Sequence, residues 1–183
     1  MTCIVGFVDK KLKETLIGGD SAGVGGWDVR TRVDEKVFRV GPFLMGFTSS
    51  FRMGQLLRYD LQIPEGWEDP GDDYRFMVSK FVPAVRKFLF DGGFGKKENG
   101  VEEGGWFLVG FKDRLYTIQP DFQVAETIEP YTAIGCGQCY ALGALEMTDG
   151  MCISDRVLEA LRVAEKYSNG VRGPFHVLTL QHP

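Results

Sequence analysis

The order of the predicted elements indicates an α+β fold with layered sheets. Strand patterns dominate the start of the chain, helical patterns follow, and strand patterns return before the last two helices. A doubly wound parallel sheet would instead require strict alternation of strands and helices. The 183 residues can form one compact domain with a sizeable core, so we expect a single domain over 1–183.

Two β-hairpins are predicted near the N-terminus. Residues 2–9 and 14–19 form strand-like runs around a polar turn, and residues 37–40 and 43–47 form a second pair. A helix is expected directly after Ser50, because serine is a favourable N-cap and apolar residues recur there with helical spacing. The first part of the chain is therefore expected to be mostly sheet.

The rest of the chain is predicted to contain helices separated by short strands. Residues 64–72 are rich in proline, glycine and aspartate and are expected to form a loop, and a helix over 73–90 is expected to kink at Pro83. Residues 92–105 are rich in glycine and charge, which predicts a mobile loop. The later elements are strands over 106–111, 115–119, 122–126 and 131–135, a helix over 140–147, a last helix capped by Ser154, and a strand over 175–180.

Composition and charge argue against several classes of protein. The net charge of −4 gives no electrostatic reason to expect nucleic acid or an anionic membrane as a partner. No apolar run approaches the ~20 residues that span a bilayer, and no secretory signal precedes the first strand. We therefore expect a cytoplasmic protein whose cysteines are reduced thiols. These cysteines are Cys3, Cys136, Cys139 and Cys152.

Thr2 lies directly behind Met1, at the start of the first predicted strand. Removal of Met1 by an aminopeptidase would leave a hydroxyl and a free α-amino group on the same residue. An α-amino group titrates near ~7.7–8.0, close to the pH at which a general base is most effective. Thr2 is therefore a candidate nucleophile that carries its own base.

Six short segments occur along the chain in a characteristic order. They are Thr2-Cys3-Ile4-Val5, Gly18-Gly19-Asp20-Ser21, Lys36 within Asp-Glu-Lys-Val-Phe, Gly46-Phe47-Thr48-Ser49-Ser50, Ala133-Ile134-Gly135-Cys136-Gly137 and Glu165-Lys166-Tyr167-Ser168-Asn169-Gly170. In this order the chain resembles the proteasome β-subunits and their bacterial relatives, which are ring-forming threonine peptidases. The likeness covers most of the chain. It implies a four-layer αββα sandwich of the N-terminal nucleophile hydrolase type, with the nucleophile at one end of the inner cleft.

The resemblance implies a role for each matching residue. Thr2 matches the family nucleophile, Asp20 the carboxylate beside it, and Lys36 the lysine that lies against both. A cation beside the nucleophile favours the neutral amine and stabilises the developing alkoxide, so a lysine suits this position. The backbone N–H of Ser49 would stabilise the oxyanion.

The chain departs from the family pattern at several of these positions. Ser168 and Glu165 match the serine and the acidic residue that flank the amine of the nucleophile, although the family has a shorter acid. Ser49 stands where the family usually has glycine, a change that matters if the backbone requires a positive φ. Gln138 occupies a position that is serine in the proteasome branch.

The implied function is that of a threonine-type endopeptidase that needs no cofactor or metal. It would act on peptides or unfolded proteins as a subunit of a homo-oligomeric ring, and an ATPase unfoldase is a further candidate partner. Phe38, Phe47 and Phe51 would line the primary specificity pocket. Such a pocket predicts cleavage after apolar residues.

Other functions fit parts of the sequence. An unprocessed or inactive ring scaffold would retain Met1, and a small-molecule amidase would use the same nucleophile. Cys136 and Cys139 precede a predicted helix, where a thiol pair could serve redox chemistry. A zinc site there would need two more ligands from the remaining cysteines and the two histidines. Cys3 could act as the nucleophile only after loss of both Met1 and Thr2.

Overall fold

Two antiparallel sheets pack face to face, and helices cover the outer face of each sheet. The structure is a computed structural model that describes residues 1–69 and 71–182. In chain order the strands are β1 (Cys3–Asp9), β2 (Glu14–Gly19), β3 (Ala22–Gly25), β4 (Asp28–Thr31), β5 (Val37–Val40), β6 (Phe43–Phe47), β7 (Lys96–Glu98), β8 (Val101–Glu103), β9 (Phe107–Phe111), β10 (Arg114–Ile118), β11 (Val124–Glu126), β12 (Tyr131–Gly135) and β13 (His176–Gln181). The α+β class and the αββα layering are therefore confirmed.

The helices form two groups, one on each sheet. In chain order they are α1 (Phe51–Tyr59), α2 (Asp73–Phe76), α3 (Val82–Asp91), α4 (Gln138–Met147) and α5 (Ile153–Tyr167). A π-helical turn, Met77–Phe81, joins α2 to α3 directly before Pro83, which has no N–H to donate to the preceding turn. The expected kink thus coincides with a local change of helix type. Among the described residues, no helix is long and apolar enough to cross a membrane.

The first sheet has the strand order β12-β1-β2-β13 and is covered on both faces. Successive side chains of a strand point to opposite faces. On β1, Val5 and Phe7 accordingly pack under α4 and α5, whereas Ile4 and Val8 pack against the other sheet. Both faces of β1 are therefore apolar, which explains its nearly continuous hydrophobic sequence.

The second sheet has the order β11-β10-β9-β6-β5, and its outer face carries a cluster rich in phenylalanine. Phe43 on β6 lies 4.6 Å from Phe111 on β9, measured between ring centroids, and 4.8 Å from Phe81. Ser50 caps α1 as predicted, since its side chain accepts the N–H of Arg52 at 3.1 Å. This cap fixes the start of α1 at the end of β6.

Three sequence predictions were wrong in detail. The glycine-rich segment after Asp20 forms the hairpin β3–β4, which the sequence analysis missed because glycines weaken strand patterns. Residues 92–105, predicted as a loop, contain the hairpin β7–β8, which the ion pair between Arg86 and Glu102 ties to α3. Cys152 rather than Ser154 is the N-cap of α5, since its backbone is extended and the helix begins at the next residue.

Candidate active site

Strand connections bring three of the predicted site residues to one end of the sandwich. Thr2 precedes β1 and Asp20 follows β2, and these strands pair so that Ile4 lies opposite Gly19. Lys36 precedes β5, and its carbonyl accepts the N–H of Phe47 at 3.0 Å. The start of one strand and the end of its antiparallel neighbour lie side by side, so the sequence order itself places these residues together.

Thr2, Asp20 and Lys36 form a buried cluster with direct contacts. Lys36 Nζ donates to Thr2 Oγ1 at 2.7 Å and to Asp20 Oδ1 at 2.9 Å. No member of the cluster is more than 3% exposed. Burial lowers the pKa of the Lys36 ammonium, and the adjacent Asp20 carboxylate opposes this change. The Lys36 side chain is therefore held directly against the hydroxyl that would attack.

The carboxylate of Asp20 is fixed by backbone groups as well as by Lys36. Oδ1 accepts the N–H of Cys3 at 3.0 Å, and Oδ2 accepts the N–H groups of Ala22 at 2.8 Å and Arg172 at 3.3 Å. These hydrogen bonds give both oxygens of the fully buried side chain polar partners, which offsets the cost of burying them. Asp20 thus joins the start of β1, the start of β3 and the segment before β13.

Cys136 lies against the nitrogen of Thr2, a contact that the sequence analysis missed. The N–H of Thr2 donates to Cys136 Sγ at 3.3 Å, and Ser168 Oγ also donates to this sulfur at 3.3 Å. Cys136 therefore lies between Ser168 and the nitrogen of Thr2. The register between β1 and β12 would have predicted this contact. Cys3 pairs with Gly135 in antiparallel strands, so Cys136 lies beside Thr2.

Glu165 and Ser49 occupy supporting positions around the cluster. Glu165 Oε1 accepts the N–H of Gly173 at 2.9 Å, and so fixes the residue that follows Arg172. In the described part of the chain Glu165 makes no hydrogen bond to Thr2, and its place beside the amine stays a prediction. Ser49 has a φ of +72°, and its Oγ accepts the N–H of Trp106 at 3.2 Å. The positive φ is the conformation in which glycine is preferred.

Solved structures resemble this chain over its whole length. BPH from Thiobacillus denitrificans, in complex with epoxomicin, has a TM-score of 0.78 and 15% identity, with 100% of both chains covered. Eukaryotic HslV from Trypanosoma brucei has a TM-score of 0.70 and 17% identity, covering 99% of this chain and 100% of its own. The Anbu (Gly-1) mutant from Hyphomicrobium sp. strain MC1 has a TM-score of 0.69 and 18% identity, with 99% and 82% covered.

This chain has the proteasome-like fold. No protein-family model matches the sequence, and a search of curated proteins finds no match. At sequence identities of 15–18%, the likeness to these solved structures establishes the fold alone. Because one fold can carry different chemistries, the function has to be argued from the site.

The proteasome-like fold buries two of the three predicted pocket residues. Phe38 is 2% exposed and Phe47 is 5% exposed, and both pack in the cluster between the second sheet and α1 to α3. They are core residues because the alternation of β5 and β6 turns them toward the helices. Phe51, at the start of α1, is partly buried and borders an open pocket of about 440 Å³. Phe47 and Phe51 also border a smaller pocket of about 70 Å³ together, and the assignment of all three rings to one specificity pocket stays a prediction.

The cysteine-based alternatives lack support within this proteasome-like fold. Cys3 is 0% exposed, and burial raises the pKa of its thiol, so it is a poor nucleophile. Cys136 contacts Thr2 and Ser168, and Cys139 is a second free thiol within α4. Across residues 1–69 and 71–182, no group of three His, Cys, Asp or Glu side chains is placed to hold a metal ion.

Proposed function

We propose that the protein is a threonine-type endopeptidase whose nucleophile is Thr2 after removal of Met1. The observation that carries this proposal is the 2.7 Å contact between Lys36 Nζ and Thr2 Oγ1, in a cluster completed by Asp20. A buried lysine against a threonine hydroxyl has no simple structural purpose, because burying an ammonium costs free energy. An activated nucleophile explains why the fold maintains it.

The reaction begins with proton transfer within Thr2. The free α-amine accepts the proton of Oγ1 while Oγ1 attacks the scissile carbonyl carbon, which gives a tetrahedral oxyanion. The N–H of Ser49 donates to this oxyanion, and the Lys36 ammonium stabilises the negative charge that develops on Oγ1. Collapse breaks the C–N bond, and the Thr2 ammonium returns its proton to the leaving amine. Water then hydrolyses the ester, with the same amine as general base.

Removal of Met1 is required for this mechanism. In the described form the Thr2 nitrogen is a peptide N–H, and Thr2 Oγ1 donates to the carbonyl oxygen of Met1. Met1 is 57% exposed, so an aminopeptidase could reach it. Its loss frees the nitrogen beside Cys136 and the hydroxyl beside Lys36 at the same time.

Self-association into a ring is part of the proposal. Large apolar side chains are exposed on the single chain, including Trp27 at 102%, Ile128 at 102% and Met147 at 84%. Exposed aromatic and methionine side chains are enriched where protein surfaces meet, so Trp27 and Met147 are candidates for contacts between copies. We assign the partner as further copies of this chain, the substrate as peptide or unfolded protein, the compartment as the cytoplasm, and an ATPase unfoldase as the component that would deliver substrate.

The second candidate is an unprocessed scaffold of the same fold. In this candidate Met1 is retained, so the Thr2 nitrogen stays a peptide N–H and the hydroxyl has no base on its own residue. An amidase that acts on small molecules would use the same three residues, and only its substrates would differ.

Intact mass and covalent labelling separate these functions. We expect the purified protein to be lighter by one methionine and to bind an epoxyketone at Thr2, as shown by peptide mapping of the adduct. Thr2→Ala is the matched control and should not be labelled. Retention of Met1 together with absence of labelling would establish the scaffold instead. Labelling without cleavage of any peptide in a fluorogenic panel would favour the amidase.

A further inference from the structure

The open pocket bordered by Phe51 lies beside the nucleophilic cluster. Its lining includes Gly23, Gly25, Asp28, Arg30, Arg32 and Phe51. The ring centroid of Phe51 is 5.7 Å from Lys36 Nζ, which in turn is 2.7 Å from Thr2 Oγ1. A side chain bound in this pocket would therefore belong to a residue close to the reacting bond.

The register of the β3–β4 hairpin explains why this pocket is both open and charged. Gly23 lies opposite Arg30, and Gly25 lies opposite Asp28. Directly opposed residues project from the same face of a sheet. This face therefore carries two charged side chains from β4 and none from β3. A Cβ on Gly25 would meet no atom of the described residues within 4 Å, so the space above Gly25 is open, whereas the side chain of Arg32 covers Gly23.

The two arginines of the pocket differ in how they are held. Arg32 donates to both carboxylate oxygens of Asp34 at 2.7 Å, and its guanidinium carbon lies 4.0 Å from the ring centroid of Phe51. Its charge is therefore paired and its position fixed. Arg30 is exposed and makes neither a hydrogen bond nor an ion pair within the described part of the chain. A guanidinium with all its donors free is well suited to bind a carboxylate with two parallel hydrogen bonds.

We propose that this pocket binds an acidic side chain of the peptide substrate, with Arg30 as the residue that determines specificity. The inference rests on the proposed peptidase function. The carboxylate would pair with Arg30, while the methylene groups of a glutamate would lie along the wall that Phe51 and Arg32 form. Asp28, at the outer end of β4, repels a carboxylate and so directs it toward Arg30. The proposal predicts cleavage next to an acidic residue, whereas a pocket lined by Phe38, Phe47 and Phe51 would favour apolar residues.

A panel of fluorogenic tripeptides tests the proposal on the Met-free protein. The peptides carry Glu, Gln, Leu or Lys at one of the three positions before the reporter group. We expect kcat/KM for Glu to exceed that for Gln about tenfold at one position, since a hydrogen bond to a charged partner is worth about that much. Arg30→Ala should abolish this ratio and leave the Leu peptides within about twofold. Arg162→Ala, an exposed arginine on α5, is the matched control and should change neither.

Arg30→Glu sharpens the test, because reversal of the charge should shift the preference from Glu to Lys at that same position. Faster cleavage of Leu than of Glu by the unaltered protein would overturn the proposal. Equal losses for Glu and Leu peptides in Arg30→Ala would overturn it as well.

A binding measurement separates failure of the pocket from failure of the peptidase. Labelled peptide amides that contain Glu or Gln are titrated with Thr2→Ala protein, and fluorescence anisotropy reports the Kd. Tighter binding of the Glu peptide that is lost in Thr2→Ala/Arg30→Ala supports the pocket even if the unaltered protein cleaves nothing. If the unaltered protein cleaves peptides and Arg30→Ala leaves the ratio of kcat/KM for Glu to that for Gln unchanged, the pocket assignment is wrong. The proposed peptidase function would still stand.

Discussion

The nucleophilic cluster and the hairpin pocket lie side by side but are built in opposite ways. In the cluster, Thr2, Asp20 and Lys36 are at most 3% exposed, and each is bonded to another member. In the pocket, Arg30 is exposed and free of partners among the described residues. Under the proposed function, the groups that act on every substrate are fixed in the core, whereas the group that selects a substrate lies on a hairpin outside the two large sheets.

Burial also changes what an ion pair contributes in the two regions. The pair between Lys36 and Asp20 is 1% and 0% exposed, so removing one partner would leave a buried charge. Such a loss typically costs about 3–5 kcal/mol. The pair between Arg32 and Asp34 is 42% and 40% exposed, and surface pairs are worth about 0–1 kcal/mol. Loss of Lys36 would therefore leave the Asp20 carboxylate buried without its cation, while the pair of Arg32 and Asp34 mainly orients one wall of the pocket.

Thr2→Ala should have the largest effect, because it should abolish turnover and leave peptide binding in the hairpin pocket intact. The loss of the hydroxyl should reduce turnover to background, on the order of 10⁴-fold or more, because Oγ1 is the attacking atom of the proposed mechanism. The binding of a Glu-containing peptide amide should persist, because the pocket is untouched. Thr2→Ser keeps the hydroxyl and the amine and should retain partial activity, with only the restriction on χ1 lost. A fully active Thr2→Ala protein would refute the mechanism.

Lys36→Met should have the next largest effect, and it should combine a loss of activity with a loss of stability. We expect kcat to fall about 10²–10³-fold, the usual effect of removing one group that stabilises transition-state charge. The free energy of unfolding should fall by about 3 kcal/mol, measured by urea denaturation. Lys87→Met is the matched control, because its ion pair with Asp91 is exposed and its loss should be nearly neutral.

The same lysine predicts the alkaline limb of the pH profile. Burial lowers the Lys36 pKa, so the ammonium should be lost below the ordinary lysine value of about 10.4 and kcat/KM should fall as pH rises through that point. The unfolded chain holds the proton up to the ordinary value. In the window between the two pKa values, the contribution of Lys36 to stability therefore rises with pH. An alkaline limb above the ordinary lysine value would contradict this assignment.

The cluster could be predicted from the sequence because its residues lie in short segments whose order resembles that of the proteasome β-subunits. Thr2, Asp20 and Lys36 lie next to β1, β2 and β5, three strands whose apolar patterns are clear. The hairpin pocket could not be predicted, because Gly23 and Gly25 weaken the strand pattern of β3 and the charged residues of β4 suggest an exposed loop. The hairpin is defined by the pairing of β3 with β4, and a search for alternating apolar residues along the sequence does not detect such pairing.

The phenylalanines show the opposite difficulty. The resemblance assigns Phe38, Phe47 and Phe51 to one pocket, yet the alternation of β5 and β6 turns the first two toward the core. Their side-chain directions depend on which face of the second sheet meets α1 to α3, and a single sequence does not give that orientation. Cys136 was missed for a related reason, since its contact with Thr2 depends on the register between β1 and β12.

Cys136→Ala, a substitution at the edge of the cluster, should reduce activity moderately. The substitution removes the sulfur that contacts both the Thr2 nitrogen and Ser168, so the amine loses a partner that orients it. We expect kcat to fall about fivefold with KM unchanged, which is the effect of one neutral hydrogen bond. Cys136→Ser should restore most of the rate. Cys139→Ala, which alters an exposed thiol in α4, is the control, and an equal loss in both alanine variants would argue against a specific role.

The smallest effect is expected at Ser49, where backbone conformation can be separated from chemistry. Ser49→Gly and Ser49→Ala both remove the hydroxyl that accepts the N–H of Trp106, so their difference reports the φ of +72° alone. We expect the glycine variant to unfold with a free energy about 1 kcal/mol higher than the alanine variant, because a side chain is disfavoured in the left-handed region. Both keep the backbone N–H, so their kcat values should agree within about twofold if that N–H is the oxyanion donor. Equal stabilities would show that residue 49 is not held in this conformation in solution, and the assignment of its N–H to the oxyanion would fall with it.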